Sequence, residues 1–474
     1  MNIQDYIQRI FTLGEKKEAV APPDETVREE FCTLALEAFE FQRLHCQVYR
    51  EYLELIGKGD FHPASIEEIP FLPIRLFKTQ IIYSDPTNMF DDIHKKKVES
   101  KKLADGKLPD EVRSKMHGDA KECMWFESSS TTGMTPSRHV IVEPAVYEQS
   151  FREGFRRVYG ESGTYNLLAL LPSYLERKHS SLVYMAEGLI AETKQNGATG
   201  DFFLYDHDRL LENLKRFSSN QETEEGKQPV HHTSQDRTPE KQQSGELNKK
   251  ERRKTILLGV SFALLDFAEY VKQQVPDPEE RRNIFSDVII IETGGMKGRG
   301  EELSREELHR RLREGFISAR IDSEYGMCEL LSQAYSIGNW PGNILEDSAQ
   351  KASGAEEKEL GEMNGLERTS GESGIKVPEK NTRQKPTEEG VFFTPPWMRV
   401  LARDLMDPFK VKGVVEGGLN IIDLANIWSC CFIETEDRGR IFSIAEEKKS
   451  VHPAFTVDGR IQNSELRGCN MLLG

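Results

Sequence analysis

A chain of 474 residues is too long for one small domain and long enough for a large core with appended parts. Its 37% hydrophobic and 30% charged residues read as a soluble globular protein, and 63 basic against 79 acidic side chains leave a net charge of −16. That charge argues against general binding to nucleic acid or anionic membrane, which would repel it, and no apolar run reaches the roughly 18 residues of a transmembrane span.

The N-terminus lacks a basic start followed by an apolar stretch, so it does not read as a secretory signal. Ile3, Tyr6, Ile7, Ile10 and Phe11 recur at helical spacing and predict a short amphipathic helix. Residues 27–57 read as helical, with Phe31, Leu34, Ala35, Ala38 and Phe39 on one face. Pro70 and Pro73 interrupt residues 66–84, which predicts an extended segment turning into a strand. Residues 91–122, rich in Lys, Asp and Glu, read as a solvated loop or helix. The seven cysteines are scattered with no Cys-x-x-Cys pair, which points to a reducing compartment, by default the cytoplasm.

From Met124 the pattern changes. A strand is expected at His139–Val142, a helix over 145–158, and buried strands at Leu167–Leu171, Thr255–Val260 and Val288–Ile291, with helices at about 261–273 and 304–315. Short apolar runs alternating with helices predict an α/β fold with a largely parallel sheet. Residues 218–254 and 346–390 are too poor in apolar side chains to offset their ordering entropy and are expected to be disordered insertions. Residues 391–474 become β-like, with strands expected at Asn420–Leu424, Cys431–Glu434 and Phe455–Val457.

Four segments carry candidate chemistry. The run Ser128-Ser129-Ser130-Thr131-Thr132-Gly133-Met134-Thr135-Pro136-Ser137 packs hydroxyls and backbone donors into a turn that can cradle phosphate oxygens; it equally suits an ordinary surface loop. It matches neither the Walker phosphate loop nor the nucleophile elbow. Glu292-Thr293-Gly294-Gly295-Met296-Lys297-Gly298-Arg299-Gly300 follows a predicted strand: its glycines allow close backbone approach and its cations can meet phosphate, or it is a solvated loop. Asp322-Ser323-Glu324-Tyr325-Gly326-Met327-Cys328-Glu329 is expected to end a strand, where an aromatic ring can stack a purine and a carboxylate can hold Mg²⁺ beside phosphates. The plainer reading is a strand-to-helix turn with Gly326 supplying permissive dihedrals. Last come Ile422-Asp423-Leu424-Ala425-Asn426, Thr435-Glu436-Asp437-Arg438-Gly439 and Asp458-Gly459-Arg460, which taken separately are ordinary turn residues.

Their order is informative. A Ser/Thr/Gly loop, then Gly-Gly, Tyr-Gly-Met-x-Glu, Thr-x-Asp and Gly-Arg resembles the layout of adenylate-forming enzymes. Phe71-Leu72-Pro73-Ile74-Arg75-Leu76-Phe77-Lys78, Leu170-Leu171-Pro172-Ser173-Tyr174-Leu175-Glu176-Arg177, Ser180-Ser181-Leu182-Val183-Tyr184-Met185 and Arg467-Gly468-Cys469-Asn470 narrow it. Together they resemble the acyl-protein synthetase (LuxE) family over roughly residues 30–474, the insertions excepted.

The resemblance implies an adenylate-forming-enzyme-like fold, with an adenylation domain over 1–455 and a short C-terminal segment, 456–474, carrying Gly459, Arg460 and Cys469. It implies a ligase that uses ATP and Mg²⁺ to activate a carboxylic acid, expected to be a long-chain fatty acid, as an acyl-adenylate. It also implies a protein partner that receives or reduces the acyl group. Ser128, Ser129, Thr131, Thr132 and Gly133 would hold the phosphates; Gly294, Gly295, Tyr325 and Gly326 would lie at the nucleotide. Glu329 would bind Mg²⁺, Asp437 the ribose, Arg460 the nucleotide near the hinge to the C-terminal part, and Cys469 would take the acyl group as a thioester. Ser130 stands where the family has Gly and Cys328 where it has Thr. The chain ends at Gly474 without the full C-terminal lid and late lysine of many superfamily members, so either Lys178 or Lys297 is expected to supply that charge or adenylation is slow. Two further readings stay open: an acyl-CoA or aryl-CoA ligase, and a non-catalytic nucleotide- or acyl-binding module.

Overall fold

The computed structural model describes residues 1–13, 25–85, 124–128, 135–171, 179–219, 253–294, 303–337, 343–345, 390–446 and 450–461. These fall into two compact units: Met1–Gly160, Tyr174–Met185 and Asp322–Gly474 form the first, Glu161–Ser173 and Ala186–Ile321 the second. The class is mixed α/β, as the alternation of apolar runs and amphipathic helices predicts, but the expected parallel pairing holds in the second unit, and the strands of the first pair mostly antiparallel.

In the first unit, α1 (Ile3–Thr12) opens on Asn2, whose side chain accepts the otherwise unpaired N–H groups of Gln4 and Asp5. Tyr6, Ile7, Ile10 and Phe11 are buried, as their spacing predicts. The helix expected over 27–57 is two helices, α2 (Glu25–His45) and α3 (Gln47–Leu55). Cys46 parts them in an extended conformation and forms an isolated β-bridge with Ser84. Phe31, Leu34, Ala35, Ala38 and Phe39 are fully buried along α2.

The proline-interrupted segment departs from expectation. Only Leu72–Pro73 is a strand (β1), and a 3₁₀ turn occupies Ile74–Lys78. Pro73 starts that turn at φ −59°, where its missing N–H costs nothing.

The hairpin β2 (Met124–Glu127) and β3 (Arg138–Ile141) is antiparallel, with Glu127 opposite Arg138. It leads into α4 (Pro144–Tyr159). Seven further strands of this unit are β8 (Arg320–Tyr325, from Asp322 onward), β9 (Ala334–Ser336), β11 (Val391–Phe393), β12 (Met398–Arg403), β13 (Glu416–Asp423), β14 (Phe432–Glu446) and β15 (Ser450–Arg460), with β10 (Asn343–Leu345) between β9 and β11 in the chain. They pair antiparallel in the order β12-β13-β14-β15-β11-β9-β8; β1 joins β14 in parallel and β10 joins it antiparallel. The β-rich C-terminal part is therefore real, with strands longer than the sequence suggests, and β15 runs without a break across the 455/456 boundary.

The second unit is parallel: β4 (Asn166–Leu170), β5 (Gly200–Phe202), β6 (Thr255–Val260) and β7 (Val288–Thr293), in the order β5-β4-β6-β7. Every residue of β4, β6 and β7 is buried, which explains their unbroken apolar runs. Helices α6 (His207–Ser218), α7 (Ser261–Gln274), α8 (Pro278–Phe285) and α9 (Arg305–Gly315) belong to it, and α5 (Ser181–Gln195) contributes its part from Ala186. The short, charged α8 gives almost no periodic signal; the Asp277 cap and buried Ile284 and Phe285 hold it.

The segment 91–122 lies outside the described residues, as do 220–252 and 346–389, which make up nearly all of the two expected insertions. Among the described residues no helix is long and apolar enough to cross a membrane.

Candidate functional site

The Ser/Thr run connects β2 to β3, and its neck is closed by paired hydrogen bonds. The Ser128 N–H donates to the Ser137 carbonyl at 3.0 Å, and the Ser137 N–H donates to Ser128 Oγ at 2.9 Å. Just below, Arg138 meets Glu127 at 3.2 Å. Ser128 is thus engaged at the neck through an acceptor lone pair of its hydroxyl. Ser129, Thr131, Thr132 and Gly133 lie outside the described residues.

The neck meets the segment that follows β8. Cys328 Sγ lies 3.9 Å from the Ser137 carbonyl, and His139 Nδ1 lies 2.8 Å from the Cys328 carbonyl. A carbonyl only accepts, so His139 carries its proton on Nδ1. Burial pushes the His139 imidazole down to about 4, favouring the neutral ring.

Tyr325 ends β8, and its hydroxyl donates to Asp437 Oδ2 at 2.7 Å. Phe392 and Phe455 pack on its ring, at centroid distances of 5.8 and 5.3 Å. Burial and the neighbouring Asp437 charge push the Tyr325 hydroxyl well above its ordinary range, so it stays a donor. Burial raises the Asp437 carboxyl despite the Tyr325 bond and the positive charges of Arg460 and Arg403.

Asp437 does not follow a strand, as the sequence suggests; it lies inside β14, directly opposite Arg460 at the end of β15. The intervening Gly-rich turn signals mislead here, because Gly439 and Gly459 sit within paired strands at a register shift. Arg460 is exposed. Gly326 is not among the described glycines with positive φ, so permissive dihedrals are not its role. A Cβ there would collide with the Glu324 carboxylate.

Glu329 is buried, with 4% of its surface exposed. Around it the backbone is held by side chains. Asn426 Nδ2 donates to the Glu329 carbonyl at 2.8 Å. Asp423 accepts the N–H groups of Leu331, Ser332 and Ala425 at 2.8, 3.0 and 3.2 Å, and the Ser332 hydroxyl at 2.6 Å. Trp397 Nε1 lies 3.0 Å from Ser332 Oγ and 3.1 Å from Ser150 Oγ. Burial lifts the Asp423 carboxyl to about 6 against these bonds. Asp423 and Asn426 read as turn residues in the sequence, and nothing there marks His139, Ser332 or Trp397. Periodicity shows which residues are apolar, not which polar ones are buried together.

In the second unit, Gly294 follows β7 with φ +62°. The Ser261 hydroxyl, at the start of α7, lies within hydrogen-bonding reach of the Glu292 carboxylate and the Gly294 carbonyl. Gly295 and Lys297 lie outside the described residues, as do Lys178 and Cys469. The other described cysteines are Cys32, half-buried, and Cys46, Cys430 and Cys431, which are buried; Cys430 and Cys431 precede β14, so the strand expected from Cys431 begins one residue later.

A Tyr–Asp pair with an opposing arginine, beside a closed hydroxyl-rich loop neck and a buried carboxylate, can hold a polyhydroxylated, anionic ligand. The donor set also suits magnesium delivered with phosphates: Mg²⁺ takes one or two carboxylates and keeps phosphate or water oxygens for the rest. Among the described residues no group of three His, Cys, Asp or Glu forms a metal cage by itself, and Glu329 is a single carboxylate.

No protein-family model matches the chain, and no curated protein matches it. Among solved structures the chain is similar to apo MatB from Rhodopseudomonas palustris, at 13% identity over 72% of this chain and 48% of that one, with a TM-score of 0.35. It is also similar to CmiS6, at 14% identity over 72% of this chain and 69% of that one, with a TM-score of 0.33. The chain thus spans about half the length of MatB.

Proposed function

We propose that this protein activates a carboxylic acid with ATP, as its resemblance to the acyl-protein synthetase (LuxE) family implies. The observation that carries the reading is the convergence, within one unit, of motifs far apart in sequence. The neck of the Ser/Thr loop touches Cys328, three residues from Tyr325, and Tyr325 bonds Asp437 opposite Arg460. Such a meeting is what a nucleotide site built from these motifs needs.

In this reading the acid's carboxylate oxygen attacks the α-phosphorus of ATP. The new P–O bond gives the acyl-adenylate, and the bond to pyrophosphate breaks. Ser128, Ser129, Thr131, Thr132 and Gly133 hold phosphate oxygens, where charge grows, so preoriented donors lower the barrier. Tyr325 and Gly326 contact the adenine side, Asp437 the ribose hydroxyls, and Arg460 the nucleotide. Glu329 would hold Mg²⁺, which supplies charge neutralisation at the phosphates.

In the finer form of the proposal, the Cys469 thiolate then attacks the acyl carbon. A thioester forms, AMP leaves, and the thiol proton passes to solvent or a base. The acyl group, expected to be a long fatty chain, then moves to a protein partner.

The test is carboxylate-dependent exchange of labelled pyrophosphate into ATP over a panel of acids, followed by a search for a hydroxylamine-sensitive adduct. Exchange with at least one acid is expected, with an adduct that disappears in Cys469→Ser. No exchange with any acid would sink the activation step. Exchange with an unchanged adduct in the variant would remove the cysteine step alone, and coenzyme A thioester formation would redirect the second half-reaction.

A further inference from the structure

Three buried side chains outside the proposed nucleotide contacts converge on the backbone from Cys328 to Ser332. His139 holds the Cys328 carbonyl, Asn426 the Glu329 carbonyl, and Asp423 the N–H groups of Leu331 and Ser332. The carbonyls on both sides of the Cys328–Glu329 unit are therefore taken, and the chain beyond is tied down two residues later. Burying an imidazole, an amide and a carboxyl costs desolvation that apolar packing would avoid. What these groups provide, which apolar packing would not, is a single course for irregular backbone.

His139 has a second connection. It lies two residues after Ser137, whose backbone closes the Ser/Thr loop, on the four-residue strand β3. Phe77 packs edge-on against its ring. The strand that closes the Ser128–Ser137 neck therefore also grips the residue before Glu329, so the neck and the Glu329 backbone keep a set spacing.

We propose that His139, with Asn426 and Asp423, is a positioning residue that registers Glu329 against the Ser128–Ser137 neck, so that one Mg²⁺–nucleotide can meet both. This rests on the ATP-dependent reading above. Groups that orient a metal-binding side chain, rather than touching the metal, typically change its affinity about 10- to 100-fold when removed.

The experiment is calorimetric titration of the full chain with a non-hydrolysable ATP analogue over a series of Mg²⁺ concentrations. His139→Leu removes the donor; His139→Asn keeps an N–H at the same branch of the side chain. The Mg²⁺ concentration for half-maximal nucleotide binding is expected to rise about tenfold or more in His139→Leu and to return towards the wild-type value in His139→Asn. Should His139→Leu not fold, Ser332→Ala, which deletes one Asp423 bond, is expected to shift the requirement in the same direction. A folded His139→Leu or Ser332→Ala with unchanged Mg²⁺ dependence, alongside a wild type that binds Mg²⁺–nucleotide, overturns the positioning role alone. A wild type that binds no nucleotide, or binds it without regard to Mg²⁺, overturns the ATP reading and this inference with it.

Discussion

The Tyr325 hydroxyl and the Asp437 carboxylate, 112 positions apart in the chain, share a 2.7 Å hydrogen bond. Neither position could be paired from the sequence, and the bond joins the end of β8 to the interior of β14. Removing either partner has a different consequence. Tyr325→Phe leaves a half-buried carboxylate without its donor, at a cost of about 1–3 kcal/mol in unfolding free energy. Asp437→Asn keeps a polar group beside Tyr325 and is expected to cost less stability; under the proposed ATP-dependent reading it is expected to raise the KM for ATP about tenfold. Denaturant titration and exchange kinetics on both variants check the contrast; equal behaviour would detach Asp437 from the nucleotide.

His139 supplies a pH prediction. Its folded value, about 4, lies below the ordinary 6.5. Between these values the unfolded chain binds a proton that the folded one does not, so unfolding is favoured as pH falls. His139 thus contributes stability that is complete above about 6.5 and is lost as pH drops towards 4, on the order of 3 kcal/mol in all. Asp423 acts oppositely. Its carboxyl, lifted from 3.8 to about 6, contributes stability that is present below 3.8 and lost as pH rises through 6. Raw stability curves therefore partly cancel between pH 4 and 6. The difference between wild type and His139→Asn isolates the histidine, and it is expected to shrink steadily from pH 7 to 4. A difference independent of pH would show that the ring is not held neutral.

Gly315 offers a test confined to the second unit. It lies at the end of α9, and a Cβ placed there would stand 2.8 Å from Ala268 Cα and 2.9 Å from the Ala268 carbonyl oxygen on α7. Backbone atoms of a packed helix cannot swing aside as a side-chain tip can, so the helices must separate. Gly315→Ala should therefore destabilise by about 1–3 kcal/mol, although alanine is the better helix former. Thermal unfolding decides it: a variant as stable as wild type would mean that α7 and α9 have room to spare.

Trp397 is the largest fully buried side chain of the first unit and meets the edge of Phe11 at 5.0 Å. Its indole N–H also reaches Ser150 and Ser332. Trp397→Phe retains most of the apolar volume but leaves the serine hydroxyls with one donor fewer, for an expected loss of about 1–3 kcal/mol. Trp397→Ala adds a cavity, for about 3–5 kcal/mol. Chemical denaturation separates the two, and near-equal losses would assign the whole effect to hydrogen bonding.

How much of this was legible in the sequence depends on what kind of signal each part carries. Helix α1 and the apolar face of α2 follow from spacing, and β4, β6 and β7 from unbroken apolar runs, because burial of a regular element imposes its own period on the chain. Four residues at the foot of the proposed site, Ser128, Tyr325, Asp437 and Arg460, were recognisable through the order of their motifs. That order could not say that Asp437 lies within a strand, that Gly326 has negative φ, or that Asp423, Asn426 and His139 grip the Cys328–Ser332 backbone. Those facts depend on strand register and on which buried polar groups face one another. Register is chosen by the whole set of side chains on both sides of a sheet, and a hydrogen bond across a hundred residues leaves no periodic trace in either partner's neighbourhood. Amino-acid order alone determined most local elements and the candidate groups of the proposed site; tertiary packing decided which of those groups meet.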